Sequence, residues 1–138
     1  MNFYIGNSID EINEQDVNVE FCDELIDFIY KMSGQVSFDM SKLYQIDPYD
    51  DVEVSKNDLF QIAEICKYIL DTALLQNYEE PDEGRQMVQD LLEIIQKAMT
   101  SDLGLVSIGD WWFALCNKIV TFPLTRPKHP CYNGTHQG

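Results

Sequence analysis

Between Ser55 and Gln76 the apolar residues return every third or fourth position. Leu59, Ile62, Ala63, Cys66, Ile69, Leu70, Ala73 and Leu74 define one helical face. Phe60, Ile65, Tyr68 and Leu75 widen that face onto both flanks. Only Gln61, Glu64, Lys67, Asp71 and Thr72 remain as a polar stripe. A helix apolar over so much of its circumference has to be covered on several sides, which predicts a place at the centre of the fold. Ser55 supplies an N-cap hydroxyl, and Asp58 stands three residues on at the positive end of the helix dipole.

The same periodicity predicts a helix over 19–32, with Val19, Cys22, Leu25, Ile26, Ile29 and Met32 buried. Glu20, Asp23, Glu24 and Asp27 then face water, and Ser33-Gly34 is the stop. A third helix is expected over 83–99, capped by Asp82, with a stripe of Met87, Val88, Leu91, Leu92, Ile94, Ile95 and Ala98. A fourth, capped by Asp110, is expected over Trp111–Val120. Short β-like runs stand at Asn2–Gly6, Val52–Val54 and Leu105–Ile108. Val36, Phe38 and Met40 alternate with polar residues as a half-buried strand does. The predicted class is therefore α+β and helix-dominated, with four helices and a small sheet of short strands. Residues 1–122 form a single domain in this reading, and 123–138 form a Pro-, Gly- and His-containing tail.

Charge alters the picture more than composition does. The 138-residue chain carries a formal net charge of −15. All 24 acidic residues lie between Asp10 and Asp110 with six of the nine basic ones, a balance of −18. Beyond Asp110 only Lys118, Arg126 and Lys128 are charged. Such a surface repels nucleic acid and anionic membrane and attracts a basic protein. It also serves solubility, and that second use stays open. Met1-Asn2-Phe3 begins without the basic, then apolar, pattern of a signal peptide. Cys22, Cys66 and Cys116 fall at apolar-periodic positions, and Cys131 stands alone in the tail. No disulfide framework is apparent, and a cytoplasmic location is expected.

Candidate chemistry is sparse. Ser107 in GLVSIG lacks the spacing of a nucleophile elbow. His129, Cys131 and His136 offer three soft ligands, one short of a structural zinc set. Asp47, Asp50, Asp51 and Glu53 follow D-x-x-D-D-x-E, without the alternating oxygens and central Gly of a calcium loop. Both histidines lie in the tail, which leaves general acid–base catalysis few candidates. No enzymatic activity, metal or cofactor is expected.

What remains is an acidic stretch interleaved with aromatics ahead of the central helix. Asp47, Tyr49, Asp50, Asp51 and Glu53 can pair with Lys and Arg on a partner, with Tyr49 as a rigid apolar anchor. The competing reading makes Phe38 and Tyr44 core and the aspartates a solvated turn. In size, acidity and lack of a catalytic motif the chain resembles bacterial toxin-immunity proteins. That resemblance implies a binding protein that neutralises a basic partner, a bacterial toxin. The alternative is a non-enzymatic structural or regulatory subunit.

Overall fold

The computed structural model describes residues 1–13 and 15–109. The predicted helix over 111–120 and the tail over 123–138 lie outside the described residues. Among the described residues four strands form one antiparallel sheet: β1 (Asn2–Ile5), β2 (Asn18–Glu20), β3 (Val52–Val54) and β4 (Leu105–Ile108), in the order β2-β1-β4-β3. Among the described residues there are four α-helices: α1 (Asp23–Met32), α2 (Ser41–Tyr44), α3 (Lys56–Asp71) and α4 (Pro81–Thr100). The fold is α+β.

The first and last strands in sequence pair at the middle of the sheet, with Phe3 opposite Ser107 and Ile5 opposite Leu105. Paired residues share a face, and the face alternates along each strand. Phe3, Ile5, Val19, Leu105 and Val54 therefore point to one side. There they join the helices in a core with Phe21, Leu25, Ile29, Leu59, Ile69, Leu91 and Ile95. Ser107 shares this face and is fully buried. Its hydroxyl is satisfied by the Met1 sulfur at 3.3 Å.

The central helix is α3. Ser55 caps it, its hydroxyl accepting the Asp58 N–H at 3.3 Å. Leu59, Ile62, Ala63, Ile65, Cys66 and Ile69 are buried. Its most extensive helix contact is with α4, and α2 packs against it as well. The covering is narrower than the sequence suggested. Phe60 is 58% exposed, Leu70 is half-buried and Ala73 is exposed. The helix ends at Asp71, so Ala73 falls off its register, and Leu74 and Leu75 reach the core from a following 3-10 turn, Leu74–Asn77.

Two other expectations are corrected. The first helix begins at Asp23, because Asn18–Glu20 pair with β1, Val19 opposite Phe3. Val19 thus reaches the core as a strand residue, and Cys22 is the helix N-cap. The alternation of Val36, Phe38 and Met40 makes no strand. Met40, Leu43 and Ile46 are the buried residues here, three apart, as in a tight helical turn. Asp39 starts that turn by accepting the Ser41 N–H at 2.9 Å. The fourth helix among the described residues is this short α2.

α4 starts one residue before the expected cap, with Pro81 in its first turn. Gly84 is buried there, and a Cβ on it would come within 2.9 Å of the Tyr78 ring. Tyr78 in turn packs on Phe28, ring centroids 5.1 Å apart, and its hydroxyl lies 3.7 Å from the Cys22 sulfur. At the other end the Leu103 N–H reaches Ala98 O and the Asp102 N–H reaches Met99 O, with Asp102 at φ 60. This is a Schellman termination, and it turns the chain straight into β4.

Candidate partner-binding face

The acidic stretch leads from α2 into edge strand β3. Asp47 opens a turn in which its carboxylate accepts the Tyr49 N–H at 2.9 Å, and Pro48 fixes the next backbone angle. Asp50 accepts the Asp51 N–H at 2.9 Å. The structure then separates the five residues by task. Asp51 is half-buried and accepts the Gly109 N–H at 3.0 Å. Glu53 accepts the Ile9 N–H at 2.9 Å, fixing the 3-10 turn Ile9–Glu11 to the sheet. These two carboxylates hold loops in place. Asp47 and Asp50 are exposed, and Tyr49 is 44% exposed.

The Tyr49 hydroxyl donates to the carboxylate of Asp23, in the first turn of α1. This contact joins two acidic segments through residues 26 apart in the chain. The loop at 47–51 and the start of α1, with Asp23, Glu24 and Asp27, thus lie along one edge of the molecule. The register explains the meeting. Glu20 pairs with Asn2, Asn2 with Ile108, and Ser107 with Val52. The end of β2 and the start of β3 therefore emerge at the same end of the sheet. The sequence marked the loop but gave no sign that Asp23 would meet it.

Phe38 and Tyr44 take different roles from the loop. The Phe38 ring stacks on Tyr68 with centroids 4.4 Å apart, and Tyr44 packs edge-on against Tyr30 at 5.2 Å. Phe38 makes its contact from the bend before α2 and Tyr44 from α2 itself, so neither extends the Tyr49 surface.

Among the described residues the ion pairs are Lys31–Asp27, Lys42–Asp58, Lys56–Asp102 and Lys67–Glu64. None uses Asp47, Asp50 or Asp51. Asp39 is held below the ordinary carboxyl value by the Ser41 backbone N–H, then by the Ser41 hydroxyl and Lys42. Burial pushes the Cys66 thiol up to about 12, so it is an inert core group. Cys22 is buried too.

A shallow, open hollow of about 550 Å³ is lined by Ile5, Glu93, Gln96, Lys97, Thr100 and Ser101. A cleft beside β3, lined by Lys42, Ile46, Val52, Glu53, Asp58 and Ile62, holds about 150 Å³. Ligand pockets run from about 300 Å³ upward. No group of three or more His, Cys, Asp or Glu among the described residues is placed to hold a metal ion. No helix among them is long and apolar enough to cross a membrane. Cys131, His129 and His136 lie outside the described residues. Comparison with protein families, with curated proteins and with solved structures gives no match for this chain.

Proposed function

We propose that this chain is an acidic binding protein that neutralises a basic protein partner, a bacterial toxin, as immunity proteins do. The binding surface is the loop carrying Asp47, Tyr49, Asp50, Asp51 and Glu53, extended by Asp23 on α1. The observation that carries the reading is the Tyr49–Asp23 contact. It places a half-exposed aromatic between carboxylates of two separate segments. Interfaces draw their affinity from such an anchor and their encounter rate from the surrounding charge. Asp47 and Asp50 supply the charge at the rim. Asp51 and Glu53 contribute by holding the loop's shape, through Gly109 and Ile9.

The second reading is a non-enzymatic structural or regulatory subunit whose acid content serves solubility. The internal bonds of Asp51 and Glu53 favour it, because they give two of the loop's four carboxylates a purely architectural use. Binding of a purified basic partner to the parent chain, Tyr49→Ala and Asp47→Asn/Asp50→Asn separates the two. The first reading requires both variants to weaken binding while the fold stays intact. Parent-like binding by both assigns the partner to another surface.

A further inference from the structure

The sheet has a second apolar face. The alternation that turns Phe3, Leu105 and Val54 toward the helices turns Tyr4, Val106 and Ile108 the other way, with Asn2, Asn18, Glu20 and Glu53 around them. The Asn2–Asn18 side-chain hydrogen bond of 2.8 Å runs along this outer face. Tyr4 is only 7% exposed and Val106 0%, yet neither belongs to the core that the helices share. Ile108 is half-buried and also stands apart from that core. The loop after β1 reaches the Leu105 end of this face, where Asn7 accepts the Gly104 N–H and Glu53 holds Ile9. The chain leaves β4 at the opposite, Ile108 end.

We propose that the outer face centred on Tyr4, Val106 and Ile108 is the docking surface for the chain's own segment 111–122. Of those twelve residues nine are apolar: Trp111, Trp112, Phe113, Ala114, Leu115, Cys116, Ile119, Val120 and Phe122. The segment begins two residues beyond Gly109, beside the face it covers. A tether that short gives a millimolar effective concentration, which a second copy or a separate partner has to exceed. Its reach is sufficient. Twelve residues span about 18 Å even as a helix, against about 14 Å across four strands. Charge agrees as well. From 111 onward the chain carries Lys118, Arg126 and Lys128 with no acidic residue, and the face is bordered by Glu20 and Glu53.

Both tryptophans of the chain lie in this segment, so intrinsic tryptophan emission reads it alone. Acrylamide quenching of the full-length protein is the test. Docking predicts quenching several-fold weaker than in the same chain in urea, unchanged on dilution. Ile108→Glu should raise quenching several-fold while the helical circular dichroism stays at the parent value. Should that variant fail to fold, Ile108→Ala and Val106→Ala should give smaller, graded increases. Native tryptophans as accessible as those in urea overturn the proposal. So does protection indifferent to all three substitutions, or protection lost on dilution in step with dissociation of a dimer, which assigns the face to a second copy.

Discussion

The Tyr49 hydroxyl donates its proton to the Asp23 carboxylate, tying the loop ahead of β3 to the first turn of α1. Asp23 would otherwise be a solvated helix-start acid. Tyr49 is a loop aromatic, 44% exposed. Each restrains the other, so the aromatic face is presented in one orientation. Pre-ordering of this kind lowers the entropy cost of binding. Because the bond is exposed, Tyr49→Phe should cost the fold less than about 1 kcal/mol. A urea midpoint checks this. A loss of several kcal/mol would mean that the contact is a structural one.

Gly109 should tolerate no side chain. A Cβ there would stand 2.5 Å from the Asp50 carbonyl oxygen, and the crowding atoms are backbone that cannot swing aside. The Gly109 N–H is also the donor to Asp51. Gly109→Ala should destabilise by about 1–3 kcal/mol and displace the 47–51 loop. Urea unfolding gives the first quantity. Amide shifts of Asp50 and Asp51 in heteronuclear spectra give the second.

Two neighbours on α3 should differ sharply. Ile69 is fully buried in the core, and Leu70 is half-buried against it. Ile69→Ala should cost about 2–5 kcal/mol, the range for emptying a closed site. Leu70→Ala should cost clearly less, since water fills part of the space. Equal losses in urea unfolding would contradict the placement of the helix.

The contrast shows what the sequence made legible. Period alone located α3 and α4, and capping chemistry located the Ser55 start. Alternation and turn residues found β1, β3 and β4. The ends were harder because tertiary pairing decided them. Val19 fits a helical stripe and a strand equally well, and only pairing with Phe3 selects the strand. Met40 fits an alternating run and a three-residue spacing, and burial of Leu43 and Ile46 selects the latter. In the candidate site, composition singled out Asp47–Glu53. It could not divide the carboxylates into those that hold Gly109 and Ile9 and those that face solvent. That division depends on backbone N–H groups distant in sequence.

Cys66 gives a pH dependence with a definite sign. Its thiol ionises near 9.0 when unfolded and at about 12 in the fold, because burial disfavours the thiolate. A raised value means that the stability is fully present below pH 9.0 and is lost as pH rises toward 12. Cys66→Ala should therefore flatten the fall in stability over that window in urea titrations. Below it, native protein treated with iodoacetamide should stay unmodified at Cys22 and Cys66 by peptide mass mapping. Modification of either in the folded state would contradict the buried core.

The claim that this chain works by attracting and holding a basic protein is tested most directly by association kinetics with that purified partner across a salt series. The on-rate of the parent should fall steeply as salt rises, because screening removes long-range attraction. Asp47→Asn/Asp50→Asn should lower the low-salt on-rate and flatten the salt slope. Tyr49→Ala should act on the off-rate, with a loss of about 2 kcal/mol or more. An on-rate indifferent to salt, together with parent-like kinetics in both variants, would contradict the account.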